Sequence, residues 1–133
     1  MDVNAIQVIG VVGAGTMGSG IAQVCAASGY RVRLVDVEPG ALDRALASIR
    51  GSVEKLHSKG KLTDEQRDAA LSQIETGLDL DDLRDAQLVI EAVSESLDVK
   101  RTVFRRLDEI TSPDAILASN TSSISITEIA AAT

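Results

Sequence analysis

The chain has 133 residues, enough for one domain with a hydrophobic core of its own. Its 13 basic and 20 acidic residues leave a net charge of −7, which argues against nucleic acid or an anionic membrane as a general partner. One cysteine, Cys25, excludes an internal disulfide, and nothing pairs with it as a metal site. The opening MDVN lacks the basic region of a signal peptide and no apolar run reaches membrane-spanning length, so a soluble, cytoplasmic protein is expected. Tyr30 and Phe104 are the only Phe, Tyr or Trp residues. A core of Val, Ile, Leu and Ala suits a parallel sheet covered by helices.

Residues 6–12 form a short apolar run ended by glycine and predict a buried strand. Small residues over 19–28 predict a helix closed by Gly29. Residues 31–37 alternate polar and apolar and predict a second strand. Pro39-Gly40 opens a long helix with Leu42, Leu46, Ile49, Val53 and Leu56 at helical spacing, stopping near Gly60. Thr63-Asp64-Glu65-Gln66 reads as a capping box for a helix through about Ile74, with a short strand around 74–77. Residues 88–93 predict a further strand, and 98–110 an amphipathic helix with Val99, Val103, Phe104, Leu107 and Ile110 on one face, broken by Pro113. Residues 116–119 predict another strand, and Ser125 caps a last helix. Strands alternating with helices imply parallel β/α units, right-handed crossovers and a doubly wound α/β sheet with helices on both faces.

The stretch GVVGAGTMGSG, residues 10–20, spends five glycines in eleven residues between a strand and a helix. Gly13, Gly15 and Gly18 fit G-x-G-x-x-G, with Thr16 and Met17 inside the same loop. The first glycine permits the tight turn, the second lets the backbone approach a pyrophosphate, and the third allows close helix–strand packing. The helix start supplies free N–H groups for the phosphates. Asp36, near the end of the second strand, can accept both hydroxyls of an adenosine ribose and would repel a 2′-phosphate. No arginine follows in Val37-Glu38-Pro39, so NAD is favoured over NADP in a Rossmann-type domain. Lys55 and Lys59 lie four apart on one helix face, where cations near a helix end are favourable without any ligand. His57, the only histidine, reads as exposed there, and Cys25 as buried against the sheet.

Gly13–Gly18, Asp36, Glu91 to Leu97 with Lys100, and above all ASNTSS (118–123) followed by Ile126-Thr127-Glu128-Ile129 resemble the L-3-hydroxyacyl-CoA dehydrogenases, over essentially the whole chain. The image is closest to the bacterial 3-hydroxybutyryl-CoA dehydrogenases. The resemblance implies that Ser122 is the active-site serine that hydrogen-bonds the substrate and that Asn120 contacts the cofactor. It also implies that Glu95 and Lys100 lie near the nicotinamide end of the cofactor, that Ala92 makes a backbone contact to the cofactor, and that Lys55 and Lys59 meet the phosphates of coenzyme A. Without it, Ser125 and its neighbours read as turn and cap residues, Glu95 as a solvated loop carboxylate and Lys100 as an exposed helix position.

In that family the general base is a histidine in a motif that soon follows this segment, oriented by a glutamate that lies further on. A further all-helical domain carries an active-site Asn and makes a homodimer. The resemblance therefore assigns residues 1–133 to the amino-terminal, NAD-binding half, inactive or very weak alone. Its substrates would be 3-hydroxyacyl-CoA and 3-oxoacyl-CoA, with no metal, nucleic acid or membrane partner. Two other readings stay open: a dehydrogenase of a small hydroxy or sugar acid, and a non-catalytic NAD(H)-sensing module.

Overall fold

The computed structural model describes residues 6–92 and 97–119, the side chains of Leu97, Val99 and Ser119 aside. In chain order the elements are β1 (Val8–Val12), α1 (Thr16–Ala27), β2 (Arg31–Val35), α2 (Pro39–Ser58), α3 (Asp64–Ser72), β3 (Ile74–Gly77), β4 (Leu88–Glu91), α4 (Leu97–Ile110) and β5 (Ile116–Ser119), with a short 3-10 helix at Leu80–Leu83. The strands form one parallel sheet in the order β3-β2-β1-β4-β5. Successive strands step outward from β1 to β3, then the chain returns to place β4 on the other side of β1. The order reverses between β1 and β4, where the carboxyl ends of the strands leave a crevice.

β1 is buried at every position because both faces of the sheet are covered. Ile9 and Val11, with Val32 and Leu34 of β2, pack against Ala22 and Ala26 of α1 and Leu42, Ile49 and Val53 of α2. Val8, Val12, Val35 and Val89 pack on the opposite face against Leu83 and Leu107. Each of the Val, Leu and Ile side chains contributes about 1.5–3 kcal/mol relative to leaving it exposed. This is the expected doubly wound sheet. No helix among the described residues is long and apolar enough to cross a membrane.

Several boundaries differ from the sequence reading. β1 begins at Val8, because the Gln87 side-chain oxygen takes the N–H groups of Gln7 (3.0 Å) and Val8 (2.8 Å). α1 begins at Thr16, three residues before Ser19, since packing of Gly18 on the preceding turn outweighs its poor helix propensity. β2 ends at Val35 because Asp36 Oδ1 accepts the Glu38 N–H (3.0 Å) and turns the chain. α3 carries the full Thr63–Gln66 capping box and stops at Ser72, so Ile74 opens β3 instead of closing the helix. β4 ends at Glu91, short of 93. The 3-10 helix had no predicted counterpart; Asp79 caps it by accepting the Asp81 N–H (3.0 Å). The expected helix from Ser125 lies outside the described residues.

Candidate cofactor site

The glycine corner joins β1 to α1 at the crevice. Gly13 has φ 105, open to glycine but strained for other residues, and its N–H donates to the Val35 carbonyl (2.8 Å). A side chain at Gly18 would run into the Gly13 carbonyl, so these two glycines serve the fold. Gly15 is different. Its φ is −77, and a Cβ added there would meet nothing within 4 Å. Among the described residues nothing requires glycine at this position, whereas a molecule lying against the backbone would.

The start of α1 is left open in the same way. Gly15 is its N-cap, without a capping side chain and with no acidic residue in the first turn. Its first N–H groups and the positive end of the helix are therefore available to an anion. The Ser19 hydroxyl is turned back onto the Gly15 carbonyl (2.7 Å). Thr16 and Met17 are both exposed, Met17 at 58%. A groove of about 250 Å³ runs beside this terminus, walled by Gly15, Thr16 and Ser19 and by Arg44 and Ser48 of α2.

Asp36 is half-buried and held by two backbone donors. Oδ2 accepts the Ala14 N–H (2.9 Å) and Oδ1 the Glu38 N–H (3.0 Å). Each oxygen keeps acceptor capacity for a sugar hydroxyl. Beside it lies an apolar slot of about 190 Å³, formed by Val12, Val37, Leu78, Leu80 and Val103. Val37 is 87% exposed and Leu78 52%, so the slot presents aliphatic surface on which a flat ring could lie. An open anion site, a backbone free of side chains, a placed carboxylate and an apolar slot suit a dinucleotide in extended form. A wider groove of about 530 Å³ near Gln7, Tyr30 and Gln73 lies at the amino-terminal edge of the sheet, away from the strand ends where such sheets bind ligands.

Across the crevice the chemistry is of another kind. Glu91 closes β4 and Lys100 stands on α4; both side chains are 0% exposed, and Lys100 Nζ donates to both carboxylate oxygens at 2.8 and 2.7 Å. The reading of Lys100 as an exposed helix position is therefore corrected, because α4 turns it inward against β4. Ala92 follows Glu91 and gives its N–H to the Val12 carbonyl (2.8 Å). Glu95, Asn120 and Ser122 lie outside the described residues.

Lys55 and Lys59 are exposed at the far end of α2, Lys59 as its C-cap. His57 is half-buried where an exposed residue was expected. Its Nε2 lies 2.6 Å from Asp64 Oδ1, and Arg67 Nη1 is 3.4 Å from the ring, so α3 covers it. The hydrogen bond from His57, and then the charges of His57 and Arg67, hold the Asp64 carboxyl below its ordinary range. Cys25 is half-buried against the α1 side of the core, and burial pushes its thiol up. Among the described residues no cluster could hold a metal ion.

Sequence reasoning located Gly13, Gly15, Gly18 and Asp36 at one corner. It missed Arg44 and Ser48, which the packing of α2 on α1 brings to the groove, and the slot residues Leu78, Leu80 and Val103. The one available signal was an apolar residue, Val37, directly after Asp36 in a turn.

A family profile described as "3-hydroxyacyl-CoA dehydrogenase, NAD binding domain" matches residues 8–133. The chain is 50% identical over 131 residues to the 3-hydroxybutyryl-CoA dehydrogenase of Mycobacterium tuberculosis, across 98% of this chain and 46% of that protein. It is 48% identical to that of Bradyrhizobium diazoefficiens, across 96% of this chain and 44% of that protein. The crystal structure of (S)-3-hydroxybutyryl-CoA dehydrogenase PaaH1 from Ralstonia eutropha matches with a TM-score of 0.91 at 43% identity, covering 97% of this chain and 46% of that one. The chain thus spans a little under half the length of these two curated relatives.

Proposed function

The chain belongs to the 3-hydroxyacyl-CoA dehydrogenase family as its NAD-binding domain, and on that premise we propose that it is the cofactor half of an enzyme interconverting 3-hydroxyacyl-CoA and 3-oxoacyl-CoA. Bound NAD would supply the hydride acceptor for C3 of the acyl chain. The chain's residues divide the remaining work. The backbone around Gly13, Gly15, Thr16 and Gly18 and the start of α1 hold the pyrophosphate. Asp36 takes the adenosine ribose hydroxyls, and the Val37–Leu78–Val103 slot takes the base. Ser122 hydrogen-bonds the reacting oxygen; Asn120 and Glu95, with Ala92 and Lys100, form the nicotinamide end. Lys55 and Lys59 meet the coenzyme A phosphates. The single observation that carries the cofactor assignment is Gly15, the uncapped start of α1, where no neighbour among the described residues requires a glycine. The substrate assignment is supported by the relatives' names and by the ASNTSS match. His57, held between Asp64 and Arg67, receives no proton-transfer role.

Calorimetric titration with NADH and NADPH tests the cofactor half of this reading. Saturable NADH binding is expected, at least about tenfold weaker for NADPH and for Asp36→Ala, as each change unpairs or opposes a charged hydrogen bond. Addition of 3-oxobutyryl-CoA to the NADH complex tests the substrate half. Binding should weaken in Lys55→Ala and Lys59→Ala. Equal binding of free 3-oxobutyrate, indifferent to both lysines, would point to a small-acid dehydrogenase instead.

A further inference from the structure

The groove at the start of α1 contains a cation that the glycine pattern does not announce. Arg44, in the second turn of α2, is the one charged side chain among the residues that wall it. Its partner is Glu38, at 3.4 Å between Arg44 Nη2 and Glu38 Oε1, with the side chains 70% and 64% exposed. A long pair in water holds its members weakly. The Glu38 end is anchored to the ribose side of the site, because its N–H donates to Asp36 Oδ1 (3.0 Å). Arg44 thus stands between the Glu38 carboxylate on one side and an uncapped helix terminus on the other.

Resting on the cofactor assignment above, the geometry points to Arg44 as an exchangeable phosphate clamp. When the dinucleotide binds, the guanidinium leaves Glu38 and bonds the pyrophosphate at the start of α1, on the side that the glycine backbone does not cover. Glu38 is the competing anion that holds the arginine in the free protein. The planar fork of a guanidinium matches paired phosphate oxygens, and its charge complements that of the helix terminus. The pyrophosphate, not a 2′-phosphate, is the chosen target, because Arg44 walls the groove at Gly15 and takes no part in the slot beside Asp36.

The test is a set of titrations of the chain with NADH, ADP-ribose and NADPH, and with adenosine by displacement of NADH fluorescence. Arg44→Gln should weaken NADH and ADP-ribose by the same factor, on the order of tenfold, and leave adenosine unchanged. Glu38→Gln should strengthen NADH by about two- to threefold, as an exposed competitor is removed. Arg50→Gln, an equal change of net charge further along α2, should leave NADH affinity within about twofold. Arg44→Gln with unaltered NADH affinity, with an equal loss for adenosine, or with a loss confined to NADPH would overturn the clamp. Absence of NADH binding by the folded wild-type chain would overturn the cofactor assignment itself, a result distinct from each of these.

Discussion

The two flanks of the crevice solve opposite problems. On the β1–α1–β2 side the protein removes atoms: Gly15 leaves open space and α1 starts without a cap. On the β4–α4 side it fills the interior with charge, a fully buried Glu91–Lys100 pair. The first flank leaves helix N–H groups without a side-chain cap, and on the second the described charges of Glu91 and Lys100 pair with each other. Polar groups that the fold leaves free therefore mark the ligand more reliably than charge does, since the most conspicuous charges in this chain satisfy each other.

The largest effect that would sharpen this contrast lies at the buried pair. Lys100→Met leaves a carboxylate without its cation and should cost about 3–5 kcal/mol, read as a fall in urea midpoint. Pairing it with Glu91→Leu should recover at least half of that loss; no recovery would mean that Glu91 matters for more than Lys100. Next comes Gly18→Ala, whose methyl group meets the Gly13 carbonyl. A loss of about 2–3 kcal/mol is expected, with NADH binding lost alongside. A melt indistinguishable from wild type would show that the corner is looser than its geometry.

The smallest effect belongs to the surface cluster at His57, Asp64 and Arg67, a foil for the buried pair. The Asp64 carboxyl titrates below its unfolded value, so the folded chain binds fewer protons there. Its contribution is present above the unfolded value of about pH 4 and is lost as pH falls through the folded one. Asp64→Asn should therefore lower stability slightly near neutrality and flatten the loss below about pH 4, measured by urea midpoints across that range. An unchanged acid limb would show that the cluster contributes nothing.

The strands and helices were legible because their periodicities are strong and the turns between them carry Gly, Pro or a capping box. Gly13, Gly15, Gly18 and Asp36 were legible because a dinucleotide constrains backbone and carboxylate at fixed intervals. The remainder depends on packing between distant segments. Lys100 stands three, four and seven residues before Val103, Phe104 and Leu107, so helical spacing put it on the apolar face of α4; what the sequence did not show is its partner, Glu91, on a different element. Arg44 sits on the polar face of α2, and only the seating of α2 against α1 brings it to Gly15. The 3-10 helix at Leu80–Leu83 was invisible for a similar reason, since Leu83 has meaning only in the space left by Gly10.

The central claim is that Gly15 serves a ligand and not the fold, and Gly15→Ser tests it most directly. Serine is at least as good an N-cap as glycine, and the position has open space and ordinary φ. Thermal melting and NADH titration of the same sample should then part company. The account predicts a melting temperature equal to or slightly above wild type, with NADH affinity reduced at least about tenfold as the side chain enters the pyrophosphate path. Full NADH affinity in a stably folded Gly15→Ser chain would contradict it.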